Sequence, residues 1–404
     1  MTANARTVFE EALALEQSGN LDKALVSYLK AQELSPQDSE IAYKTASALL
    51  QAGYLEEAQS QLRRIVFAEP DNLNARASLG NCQLLLGDSE NALQNFKDVL
   101  AHVPENRNAL YGLASVYLKA GKPADALAPA KQLINLLPDS PAVLSLFAQT
   151  QAKTGQSAAS IAAYRKALKA DPSHFESLLG LADVLQLRKR YDEVIELTIR
   201  ANEVAPADPL PLEILSDALA GKGALDDAYE AGEAALKLQP DSQSVLVRLS
   251  VLARKRGDLI QALKYSLDAH ILDTRAADPL NAIGAALAAL KFPEEARGVL
   301  TGIAAGKALD DKTRKLAEGL IAEHQIKVMR SLETASQATA AASESESLGQ
   351  REAGLSGNEE RSVTRSETTD ITEPRSELQK PVPKPLSHKE AQPNVLGLQR
   401  RDRT

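Results

Sequence analysis

Five histidines (His102, His174, His270, His324 and His388) and one cysteine, Cys82, are the residues of this sequence best suited to metal or nucleophile chemistry. A zinc site needs clustered His and Cys ligands, usually with a short spacing within each pair. No two of these histidines stand at helical ligand spacing, and Cys82 has no neighbouring ligand, so no metal site is expected. His102 and His174 flank prolines and read as loop residues. The stretch GIAAGKA (Gly302–Ala308) comes nearest to a phosphate-cradling loop. Such a loop needs four residues between its glycines, a Ser or Thr after the Lys, and a buried strand before it. Here three residues separate Gly302 from Gly306, Ala308 follows the Lys, and no strand pattern precedes them. There is no G-x-S-x-G nucleophile elbow. Carboxylates are plentiful, but no position singles out a pair for acid–base work. The sequence therefore predicts no catalytic residue, no cofactor and no metal.

The remaining question is what the elements are for. The chain has 404 residues, 44% of them hydrophobic but only 4% aromatic, with no Trp. Ala and Leu dominate the apolar set, which favours helices over sheets. The net charge of −8 argues against a nucleic-acid partner, which calls for a basic face. A lone cysteine fits a reduced, cytoplasmic setting. The N-terminal MTANARTVFEEALALEQ lacks the basic-then-apolar order of a signal peptide. No run reaches the length of roughly 18 apolar residues that a membrane-spanning helix needs.

Pro36, Pro70, Pro104, Pro138, Pro172, Pro206 and Pro240 recur every 34 residues. Each follows an Ala-rich helical stretch, and a proline there ends the helix. With this proline counted as the thirty-second position, other positions fall into register. The fifteenth holds Gly19, Gly53, Gly87, Gly121, Gly155, Gly223 and Gly257, the residue type for a left-handed turn between helices. The twentieth holds Ala24, Ala58, Ala92, Ala126, Ala228, Ala262 and Ala296, small enough for the second helix to approach the first. The eighth is also small, as at Ala12, Ala46, Gly80, Ala114 and Ala148.

This pattern resembles the tetratricopeptide repeat (TPR) family, over residues 5–306. The resemblance implies an all-α, right-handed α-α superhelical solenoid of about nine helix pairs. The repeats lie near 5–38, 39–72, 73–106, 107–140, 141–174, 175–208, 209–242, 243–276 and 277–306. Departures are the missing Trp at the fourth position, Ser160 at a twentieth position, Lys189 and Val194 in the sixth repeat, and no closing proline in the last two repeats. One such pair cannot bury its apolar stripe alone, so neighbours must stack. A capping helix is expected over 307–331, started by Asp310 and Asp311, with Leu316, Leu320 and Ile321 as its stripe. Residues 332–404 are rich in Ser, Thr, Glu, Gln and Pro and lack Phe, Tyr and Trp. That composition reads as a disordered tail. Its end, VLGLQRRDRT, reads as a solvated terminus or a docking peptide.

In the TPR family, partners lie along the concave face of the first helices, at positions two, five, nine and twelve. Carried over by register, those positions give Glu40, Tyr43, Ser47 and Leu50, then Asn74, Ala77, Asn81 and Leu84, then Asn108, Tyr111, Ser115 and Leu118. The candidate partner-binding residues are Tyr43, Ser47, Leu50, Asn74, Asn81, Leu84, Asn108, Tyr111, Ser115 and Leu118. The leucines serve inter-repeat packing equally well, whereas the register sets Tyr43 and Tyr111 off the core stripe. Glu176, Asp183, Glu213 and Asp217 share that face and suit a basic partner segment. The basic positions of a C-terminal-carboxylate clamp hold Ala77 and Gly112 instead, and the Asn ladder of sugar-transferase arrays is missing. The expected function is a non-enzymatic scaffold or adaptor whose partners are proteins or peptides, possibly a second copy of itself. A self-assembling structural scaffold, or an accessory subunit of an enzyme or secretion complex, is the alternative.

Overall fold

The computed structural model describes the backbone of residues 3–355 and the side chains of residues 4–334. The helices fall into two compact units, which part between Leu238 and Gln239. The first unit holds seven helix pairs: α1 (Ala3–Gln17) and α2 (Leu21–Leu34), α3 (Ser39–Ala52) and α4 (Leu55–Ala68), α5 (Leu73–Leu85) and α6 (Ser89–His102), α7 (Arg107–Lys119) and α8 (Pro123–Leu136), α9 (Pro141–Lys153) and α10 (Ser157–Ala170), α11 (Phe175–Leu187) and α12 (Tyr191–Val204), α13 (Leu210–Lys222) and α14 (Leu225–Leu238). The second unit holds α15 (Gln243–Arg256) and α16 (Leu259–Leu272), α17 (Ala277–Ala289) and α18 (Pro293–Ala304), and a long helix, α19 (Asp311–Leu355). Within each unit the two helices of a pair pack on each other and each pair packs on the next, while α19 packs on α16, so the fold is an all-α repeat solenoid.

The 34-residue register sets these elements. Each closing proline stands two residues beyond the end of a second helix, as Pro36 does after Leu34. The thirty-fourth position precedes the next pair and in several repeats caps it, a role not drawn from the sequence. The Asp38 carboxylate accepts from the amides of Glu40 and Ile41, Asn72 accepts from Ala75, and Asn106 accepts from Ala109. Such caps satisfy amides that a helix start leaves without a carbonyl. His174, expected in a loop, fills the same place: its Nδ1 accepts from the amide of Ser177. His102 is the last residue of α6.

Between the two helices of every pair the backbone turns left-handed. Where glycine is missing, Lys189 (φ 57°) and Lys291 (φ 69°) adopt that conformation themselves. A side chain there costs about 1–2 kcal/mol, partly offset by the chain entropy that glycine loses. Lys189→Gly is therefore expected to stabilise the first unit by about 0.5–1 kcal/mol, read as a raised urea midpoint. Both side chains are exposed, so no packing is lost in the exchange.

The cores run between the pairs. Ala58, Ala92, Ala126, Ala228 and Ala262 at the twentieth position are fully buried, which is why only a small residue fits. Serines at the eighth position bond across the pair: Ser216 Oγ donates to Ala228 O (2.7 Å), and Ser250 Oγ to Ala262 O (2.8 Å). Ser160, on the opposite side of such a contact, is fully buried and its hydroxyl has no partner. Cys82 is buried, its thiol donates to Leu55 O, and burial pushes its pKa up to about 11. That makes it a core residue rather than a reactive one. GIAAGKA spans the end of α18 and the turn after it, so its glycines finish a helix instead of opening one. Among the described residues no group of His, Cys, Asp and Glu is placed to hold a metal, and no helix is long and apolar enough to cross a membrane.

The helix after the ninth pair begins at Asp311, behind a capping residue. Asp310 accepts from the amide and hydroxyl of Thr313 (2.9 and 2.7 Å), a cap that holds its carboxyl below the usual range. It then runs beyond residue 331 to Leu355, so residues 332–355, read from composition as part of a disordered tail, are helical. Ala, Glu, Gln and Leu there favour a helix locally. Residues 356–404, including the VLGLQRRDRT end, lie outside the described residues.

Candidate partner-binding face

The first helices of the first unit lie side by side: α3 meets α5, α5 meets α7, α7 meets α9, α9 meets α11, and α11 meets α13. Their shared face carries the candidate residues. Tyr43 of α3 reaches α5, its hydroxyl 3.2 Å from Ser78 Oγ. Leu84 of α5 is tied to α7, where Lys119 Nζ donates to its carbonyl (3.1 Å). Ser115 Oγ donates to Tyr111 O (2.9 Å), which turns the hydroxyl back onto its own helix. Asn74 is exposed, and Ser47, Asn81 and Asn108 are half-buried.

The apolar candidates divide differently from expectation. Leu118 is buried and belongs to the core between α7 and α8. Leu50 and Leu84 are half-buried and pack against the cores of their own repeats. Tyr43 and Tyr111, expected off the core stripe, also rest part of their rings on those cores. The cause is the closeness of neighbouring first helices. At that spacing a residue in the fifth position touches the next helix before it reaches open space.

Tyr111 stands out electrostatically. Burial, and the negative charge of Glu176, push its hydroxyl up to about 12. Glu176 lies on α11, so its charge acts on Tyr111 from two repeats away. The fifth repeat offers little bulk on this face, with Ala142 and Ser145 at the second and fifth positions. On the same face Asp183 has its carboxyl raised by the surrounding protein, with Lys153 pulling the other way. Burial and then Asp183 raise Tyr164. A carboxylate held in this state gains from a cation brought close to it.

Sequence reasoning missed a second polar cluster, at the first repeat. Tyr28 is fully buried and its hydroxyl donates to Glu16 Oε2 (2.5 Å), while Lys44 Nζ donates to the same oxygen (3.1 Å). The signal was available in register, since Glu16, Tyr28 and Lys44 occupy the twelfth, twenty-fourth and next sixth positions. Only the knowledge that these three positions meet would have exposed it.

Sequence models described as tetratricopeptide repeat match residues 4–38, 43–96, 83–150 and 146–201. No curated protein matches the sequence. Among solved structures, a chain of the APC/C hetero-tetramer Cut9-Hcn1 superposes with a TM-score of 0.57 at 14% identity, covering 69% of this chain. The match spans 55% of that chain, about half its length. A tetratricopeptide repeat protein from Parabacteroides merdae gives 0.48 at 18% identity, over 61% of this chain and 98% of that one. PilF of Pseudomonas aeruginosa gives 0.44 at 21% identity, over 48% and 88%. At these identities the likeness concerns the fold alone. With the period, the left-handed turns and the matched segments in agreement, this chain belongs to the tetratricopeptide repeat family.

Proposed function

We propose that this chain is a non-enzymatic scaffold or adaptor that holds a segment of a partner protein along the first-helix face of its first unit. TPR folds generally serve as protein-interaction scaffolds, which supports the class. The single observation that carries the placement is the half-buried Tyr111 ring on the first-helix face, on which the negative charge of Glu176 acts from two repeats away. It supplies a half-buried aromatic edge of low entropy cost within the field of a negative charge. An anchor of that kind suits an apolar side chain followed by Lys or Arg. Tyr43 offers a second aromatic edge, and Glu176 and Asp183 would steer a basic segment toward the face.

Pull-down from cell extract with the Tyr43→Ala, Tyr111→Ala double variant is the test. Central aromatic anchors contribute about 2 kcal/mol or more each, so partner recovery should fall by more than tenfold. Helical circular dichroism should stay unchanged. Full recovery of the same partners by a folded double variant would reject this face as the binding surface.

A further inference from the structure

In the second unit, His270 sits in the last turn of α16 with 3% of its surface exposed. Neither ring nitrogen has a hydrogen-bond partner. A buried imidazole with both nitrogens unsatisfied is an uncommon arrangement. The long helix α19 packs onto α16, and its Arg314 is among the charges that act on the ring. The docked part of α19 is short. Leu309, just before it, and Thr313 and Ala317 within it are buried, whereas every side chain from Ala322 to Thr334 is exposed. A long helix is thus moored by its first turns, and the protonated form of this histidine would find no acceptor in place.

We propose that protonation of His270 releases α19 from α16, so that mild acid frees the helix while the rest of the second unit stays folded. An imidazolium in this site would be a desolvated cation without an acceptor. Release of the helix gives both nitrogens to water. The surrounding charges oppose protonation in place. Burial is the main cause that lowers the ring's pKa, and Arg314 of α19 adds to it. Asp273, just past the end of α16, acts the other way and is outweighed. No charge on α15 or α17 is among the groups that act on the ring. Two carboxyls nearby do not reproduce the effect. Asp268 of α16 is raised by burial, so acid favours its folded form. Asp310 is held low by Thr313, so its cap outlasts an ordinary carboxylate as pH falls and is not lost in mild acid.

For the sign, the docked ring binds a proton less readily than the free one. Docking is therefore fully present above the ordinary histidine pKa of about 6.5, and weakens as pH falls below it. Between pH 7.5 and 5.5 the docking equilibrium should fall by about tenfold, the ratio set by one pH unit below that value.

Hydrogen–deuterium exchange on the full chain, corrected for intrinsic rates, tests this at the two pH values. Peptides covering 309–321 should lose about tenfold in protection, while α15 and α17 keep theirs. His270→Leu should hold the protection at both pH values, with His270→Gln as a second variant should the leucine misfold. Arg314→Gln removes the cation beside the ring and should shrink the acid response in a chain that keeps the histidine. Unchanged protection in the natural chain at pH 5.5 overturns the proposal. So does an equal loss in a folded His270 variant, or loss of α15 and α17 together with α19.

Discussion

Gly112→Ala is expected to destabilise the first unit by about 2 kcal/mol, although alanine is the better helix former by about 1 kcal/mol. A Cβ at Gly112 would lie 2.2 Å from Phe96 Cζ, and 2.5 and 2.6 Å from Cε1 and Cε2. The ring cannot retreat, because its other side is closed by Gly80, where a Cβ would meet Phe96 Cε1 at 2.7 Å. Phe96 is fully buried, the knob that two glycines of consecutive first helices admit. Urea unfolding followed at 222 nm measures the loss. Phe96→Leu shortens the knob and should return part of the stability of Gly112→Ala, giving a coupling of about 1 kcal/mol or more in the double-mutant cycle. Strict additivity of the two changes would show that the ring is not what excludes the methyl group. Gly284→Ala provides a contrast. Its Cβ would meet Leu300 at 3.4 Å, an ordinary contact, so that change should be neutral or stabilising.

The same residue shows where sequence reading stops. Gly112 was legible only as a clamp position without its basic residue, and Gly80 only as one of many small eighth positions. That a single ring fills both depends on the twenty-fourth position, which varies among Tyr28, Leu62, Phe96, Ala130 and Tyr164. The period, the helix pairs and the turn conformation follow from residue types repeated in register, and Lys189 and Lys291 keep the turn even without glycine. The candidate face was legible as a face but not as a surface. Leu118 is core and Tyr43 is half-seated, because register gives an angle around a helix and not the distance to the next one. The length of α19 was hidden for a different reason. Its later turns, rich in Ala, Ser, Glu and Gln, carry no apolar stripe in sequence, so the hydrophobic pattern that marks the other helices is absent there. His270 carried no signal at all, since a lone histidine at the twenty-eighth position of one repeat is meaningful only when α19 is seen to fold onto α16.

Loss of the Tyr28 ring is expected to cost more than any other single change considered. Tyr28→Ala removes a fully buried ring that packs on Phe9 at 5.8 Å between centroids. Truncations of this kind cost about 3–5 kcal/mol. Tyr28→Phe separates the hydroxyl from the ring. It keeps the packing and loses a hydrogen bond to a carboxylate, about 1.5–3 kcal/mol. The lower end is the better expectation, because Glu16 retains Lys44 and some contact with water. In a repeat array such losses fall first on the repeat concerned and its neighbour. Exchange protection of α1, α2 and α3 should therefore drop before the midpoint of the whole unit moves. A pH signature distinguishes the hydroxyl from mere packing. Burial, then the hydrogen bond and charge of Glu16, raise the Tyr28 pKa above its ordinary value. The folded state thus holds the proton that the unfolded chain gives up near pH 10, and stability should fall as pH rises beyond that point. In Tyr28→Phe this alkaline loss should be smaller, with Tyr111 and Tyr164 supplying what remains. An identical alkaline profile in the two proteins would mean that the hydroxyl is not held by Glu16 in the folded chain.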